Sequence, residues 1–123
     1  MLLEALVARS FTPTPTHMSP DDILATTCRY FSVQPDDVHG RSRTQKISVP
    51  RKLACYFIRQ MLPMSFEDIG NWLGMRDHST IIYYVRDIEA KLPDDPILRT
   101  YHDEIQVALM QRQPFEEVGE RHV

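Results

Sequence analysis

The chain has 123 residues, 42% hydrophobic and 25% charged, with a formal net charge of −3. That is the composition of an ordinary soluble globular protein and the length of one small domain with tails. No apolar run approaches the roughly 20 residues that span a bilayer. Met1 to Val7 is apolar but lacks a basic lead and contains Glu4, so no secretory leader is expected there, and the expected location is cytoplasmic.

In chain order, residues 1–18 read as an arm or linker. Phe11-Thr12-Pro13-Thr14-Pro15-Thr16 cannot continue a helix, because proline lacks a donor and restricts its predecessor. Ser19-Pro20-Asp21-Asp22 is a helix start, with a capping serine, a first-turn proline and two acids facing the positive end of the dipole. Ile23, Leu24, Thr27, Cys28 and Phe31 then form a stripe at helical spacing. Val33 to His39 reads as a short turn-like element closed by Gly40. Arg41-Ser42-Arg43-Thr44-Gln45-Lys46 has no apolar residue to anchor it and reads as a flexible basic loop.

Pro50 is expected to open the next helix, with Leu53, Ala54, Phe57, Ile58 and Met61 on its apolar face and Pro63 at its end. Ser65-Phe66-Glu67-Asp68 starts another helix, with an acid three residues after the serine. Ile69, Trp72 and Leu73 pack, and Gly74 supplies the stop. A longer helix is expected from about 77 to 92, with Ile81, Ile82, Val85, Ile88 and Leu92 inward. Pro93-Asp94-Asp95-Pro96 breaks it and caps a last helix over about 96–112, and 113–123 is a tail. No segment alternates with period two long enough for a sheet, so the fold class is all-α, with one domain over 19–112. Cys28 and Cys55 sit in apolar helical patterns and read as buried, reduced thiols.

The net charge hides a strong asymmetry. Gly40 to Phe66 contains no acidic residue, and Arg41 to Arg59 contains six basic ones. A footprint on phosphate needs local charge, not net charge. Ser65 to Lys91 reads as helix, glycine turn and longer helix, the helix-turn-helix plan in which the second helix enters the major groove N-terminus first. Asp77, His78, Ser79 and Thr80 gather at that N-terminus. Asp77 can accept from cytosine N4, His78 can donate to guanine, and Ser79 and Thr80 can touch thymine methyls or phosphates. Double-stranded DNA is the partner these features imply.

Val49-Pro50-Arg51-Lys52-Leu53-Ala54 through Gly74-Met75-Arg76-Asp77-His78-Ser79-Thr80-Ile81 resembles the C-terminal DNA-binding domain of the bacterial replication initiator DnaA. The resemblance runs from about Ser19 to Ile105 and implies a compact fold akin to Trp repressor that recognises the nine-base-pair DnaA box. It implies base contacts by Arg43 in the minor groove and by Asp77, His78 and Ser79 in the major groove. It implies backbone or mixed contacts by Arg51, Lys52, Arg59 and Thr80, and Arg41 and Lys46 of the basic loop, with Ser65 and Arg76, are further candidates for such contacts. The chain departs from the family pattern at Met75 for a second glycine, Ser79 for a threonine, Lys52 for a common glutamine, and Tyr83-Tyr84 for smaller residues. Its four glycines build no phosphate loop, so nucleotide binding and the ATPase chemistry of the initiator are not expected.

The expected function is sequence-specific binding at DnaA-box-like sites, with a nucleoid-associated role in regulating transcription or replication initiation. The alternative is a protein-interaction module that kept the fold and lost DNA binding. A second copy or a protein partner would dock through the N-terminal arm, Tyr83-Tyr84 or the last helix. No Cys-x-x-Cys or His-x-x-x-His spacing suggests a metal, and the paired carboxylates are explained by helix starts and turns. An enzyme, a metal and a cofactor are therefore not expected.

Overall fold

Helix α1 (Pro20–Phe31) begins where the serine cap requires it. The Ser19 hydroxyl accepts from the Asp22 amide, and the Asp22 carboxylate accepts from the Ser19 amide. The structure is a computed structural model that describes residues 18–74 and 76–122, the last of these, from 112 onward, by backbone alone. Residues 1–17, most of the expected arm, lie outside the described residues. Met18, the last residue of the expected arm, is instead a core residue, only 5% exposed.

Five further helices follow among the described residues: α2 (Pro35–His39), α3 (Gln45–Met61), α4 (Phe66–Gly74), α5 (His78–Lys91) and α6 (Pro96–His122). Two boundaries correct the sequence reading. The turn-like stretch before Gly40 contains the single-turn helix α2, which seats Val38 in the core. Pro50 does not open α3; the helix starts five residues earlier, after Thr44. Buried Ile47 anchors those extra residues, and a proline inside a helix leaves the carbonyl four residues back, that of Lys46, without its usual donor. The basic loop is thus shorter than expected: Gln45 and Lys46 are helical, leaving residues 41–44 outside. The last helix also passes its expected end at 112, running through Pro114 to His122.

Helix α3 is the central rod. Leu53, Ala54, Cys55, Phe57 and Ile58 are all at most 2% exposed, and α1, α2, α4 and α5 all pack against it. Helix α6 lies against α1, where Phe31 stacks on Tyr101 at 4.2 Å between ring centroids. Both thiols are free and buried as expected. Burial, with a minor push from Asp37, raises Cys28 to about 11, and burial raises Cys55 to about 12, so neither is a reactive thiolate at neutral pH.

The α4–α5 corner depends on two glycines. Gly74 takes a φ of +137°, a conformation that side chains disfavour. Gly70 is buried where the chain folds back: its carbonyl accepts from the Arg76 amide at 2.9 Å. A Cβ added at Gly70 would lie 2.1 Å from the Arg76 carbonyl oxygen, closer than atoms can approach. Gly70→Ala should therefore force the corner apart and destabilise the domain by about 1–3 kcal/mol or more. Chemical denaturation would measure this, and a loss below about 0.5 kcal/mol would contradict the close approach.

Candidate nucleic-acid interface

The N-terminus of α5 is built as an exposed polar tip. Asp77 takes the N-cap position in an extended conformation, and its carbonyl accepts from the Thr80 amide at 3.0 Å. Its side chain makes no capping hydrogen bond; the carboxylate instead accepts from the Ser79 hydroxyl. The His78 imidazole lies 3.8 Å from the same carboxylate, and the two side chains are 62% and 64% exposed. The Ser79 hydroxyl, then burial working against it, then His78 and the neighbouring amides leave the Asp77 carboxyl below the usual range. Acceptor, imidazole and hydroxyl therefore stand together, with their outer faces open to solvent. Behind them Ile81, Val85 and Ile88 bury the opposite face of α5.

The basic loop lies beside this tip because two arginines hold it there. Arg51 is only 3% exposed. Its guanidinium donates to the carbonyls of Val38 at 2.9 Å, Ser42 at 2.7 Å and Gly40 at 3.2 Å. Arg76, in the turn before α5, also donates to the Gly40 carbonyl and to that of Leu73 at 3.3 Å. The α2–α3 loop is thereby tied to the helix-turn-helix corner. Burial and the nearby Arg76 charge lower the Arg51 pKa, with Tyr84 opposing them. An arginine nevertheless keeps its charge at any relevant pH.

Arg51 and Arg59, both expected at the DNA backbone, therefore do not share an exposed face. Arg51 faces the core side of the loop, and only Arg59 is exposed. Arg59 donates to the Met64 carbonyl at 2.8 Å and stacks over Phe66 at 4.4 Å, with further N–H groups left outward. Lys52 is likewise not a free cation: its ammonium meets Asp87 at 2.9 Å and its side chain is 16% exposed. Ser65 is engaged as the reciprocal cap of α4 with Asp68, each hydrogen bond 3.0 Å. Arg41, Arg43 and Lys46 are exposed, and among the described residues none forms an ion pair with them. Thr80 is half-buried on the first turn of α5.

Two further side chains share the outer side of α5 with this tip: Arg86, which the sequence reading did not name, and Tyr83, which it expected to dock a partner. Both are exposed on α5, four and seven residues beyond Ser79, on the side away from the core. That spacing is visible in the sequence and was the available signal.

A model of the family described as the bacterial dnaA protein helix-turn-helix matches residues 20–88, from α1 into α5. The chain is 32% identical over 103 residues to the chromosomal replication initiator protein DnaA of Bifidobacterium animalis subsp. lactis, covering 84% of this chain and 18% of that protein. It is 31% identical over 109 residues to DnaA of Deinococcus radiodurans, covering 89% and 23%. DnaA 1 of Chlamydia trachomatis is 38% identical over 78 residues, covering 63% and 17%. The chain thus spans about a fifth of the length of these relatives.

Two outcomes test the site's construction. Arg51→Met should destabilise the fold by about 2–4 kcal/mol, since three carbonyls lose a charged donor, whereas Arg41→Ala should stay within about 0.5 kcal/mol. The second concerns Asp87, which accepts from Lys52 and, at 3.0 Å, from Lys91. Burial raises its pKa, but the two lysines outweigh burial and leave it below the ordinary carboxyl value. A depressed folded pKa contributes stability above the unfolded value of about 3.9, and that stability is lost as pH falls through the folded value. Stability measured from pH 5 down to pH 2 should therefore fall less steeply in Asp87→Asn than in the wild type; parallel curves would contradict the assignment.

Proposed function

The chain belongs to the bacterial DnaA helix-turn-helix family, and on that premise we propose that it binds DnaA-box-like sites in double-stranded DNA. The observation that carries this reading is the union of two exposed surfaces through one carbonyl. The Gly40 carbonyl receives both Arg51 and Arg76, so the loop bearing Arg41 and Arg43 is tied to the turn that leads into the helix tip bearing Asp77, His78 and Ser79. A recognition helix needs that second anchor, because phosphate contacts set its register before base edges are read.

In this reading His78, Asp77 and Ser79 address base edges in the major groove. Arg43 enters the adjacent minor groove, where an arginine side chain meets enhanced negative potential. Arg41, Lys46, Arg59 and Thr80 meet the sugar-phosphate backbone. Arg51, Lys52, Ser65 and Arg76 support the face from within. The protein regulates replication initiation or transcription by occupying such sites, and works where the nucleoid is. No step in this reading uses ATP.

A protein-docking role is the second reading. Ile97, Val107 and Met110 favour it, being 70%, 53% and 58% exposed along α6. The two readings separate on duplex binding.

Selection from a random duplex pool at near-physiological salt should enrich a DnaA-box-like motif. Affinity for that motif should fall with salt at a log–log slope of about −4 to −5, as about five phosphate contacts require. His78→Ala should weaken binding by about 1–3 kcal/mol and relax preference at one position, without changing stability. A slope near zero, or no enriched motif, would refute DNA recognition and leave the docking role.

A further inference from the structure

Tyr83 is an aromatic side chain in an unusual setting. It is 57% exposed in the middle of α5, where a soluble helix ordinarily presents polar residues. Its ring is held from one side: the Lys52 ammonium lies 5.0 Å from its centroid, and Tyr84 lies 6.2 Å away, centroid to centroid. Lys52 is in turn fixed by Asp87, which also accepts from Lys91. The ring thus has a braced face toward α3 and an open face toward solvent.

Ser79, Tyr83 and Arg86 are all exposed and follow one another at intervals of four and three residues, so they form a single outward row. Tyr83 lies about 6 Å further along the helix axis than Ser79. In B-form DNA that distance is about one to two base-pair steps. The thymine C5-methyl is the major-groove group that an apolar surface reads, and the Tyr83 ring offers such a surface beyond the polar tip. Arg86, the last of the row, carries a charge suited to the neighbouring phosphate.

We propose that Tyr83 is a specificity-determining residue of the DNA face, reading a thymine methyl one to two steps beyond the bases met by the helix tip. Lys52 and Asp87 are positioning residues that hold its ring. This rests on the DNA-binding reading above. It assigns Lys52 the task of bracing an aromatic ring rather than neutralising a phosphate, and Asp87 the task of keeping it there.

The test replaces each thymine of the selected duplex in turn by uracil, which removes only the methyl group, and measures binding of the full chain. Wild type should lose about four-fold at one thymine, the factor that one buried methyl supports. Tyr83→Phe should keep that sensitivity. Tyr83→Ala should lose it at that thymine alone, with unchanged melting temperature and monomer mass. Asp87→Asn should lessen it and steepen the salt dependence, as Lys52 becomes free to meet phosphate. If the wild type binds its motif and Tyr83→Ala discriminates thymine from uracil as before, the proposal is overturned and the DNA-binding reading stands. If Tyr83→Ala instead changes the oligomeric state, the ring is a docking residue and the proposal is overturned. If the wild type selects no motif, both readings fall together.

Discussion

The Gly40 carbonyl oxygen is the point on which the rest of the interface depends. Two guanidinium groups converge on it, from Arg51 in the central helix and Arg76 in the helix-turn-helix corner. Like charges so close repel, and the repulsion is visible in the lowered Arg51 pKa, to which the Arg76 charge contributes after burial. The arrangement holds because carbonyl dipoles surround both groups: those of Val38 and Ser42 on one side and Leu73 on the other. A buried cation satisfied by backbone dipoles needs no carboxylate. The pair therefore adds positive charge beneath an already basic loop, which favours an approaching polyanion.

That geometry explains why the central helix begins before its proline. An α3 starting at Pro50 would leave Arg51 in the first turn at a mobile loop end. Starting at Gln45, anchored by Ile47, the helix places Arg51 well inside a formed rod, with its guanidinium under the loop. The close Gly70–Arg76 approach does the same from the other side, since it fixes the turn from which Arg76 reaches back. Rigid elements meet at a short loop, and the short loop carries the exposed arginines.

Charge in this protein is sorted by role rather than by sign. Several acids are tied into local structure: Asp22 and Asp68 cap helices, Asp95 accepts from the Leu98 amide, and Asp21 accepts from the Trp72 indole at 2.9 Å. Asp87 gathers Lys52 and Lys91. Arg41, Arg43 and Lys46 stay outward. A chain of net charge −3 can thus present a basic face, because the average counts acids that are tied into local structure elsewhere.

Much of this was legible before any coordinates. The Ser19 and Ser65 caps, the Gly74 stop, the inward stripes of α1 and α5 and the polar tip at Asp77 are set by interactions that span at most four residues, so the local sequence encodes them. The same logic misjudged Pro50 as a start, because a lost hydrogen bond inside a helix is outweighed by packing that the local sequence does not display. It read Arg51 and Lys52 as surface cations, because nothing near them in the sequence names their partners. Those partners, the carbonyls of Val38, Gly40 and Ser42 for one and Asp87 for the other, arrive from 9 to 35 residues away. The sequence alone determined an all-helical domain with a polar helix tip and a basic stretch. Only the tertiary structure decided which cations face outward and which lock the loop, since that choice depends on backbone carbonyls whose direction is fixed when the helices pack.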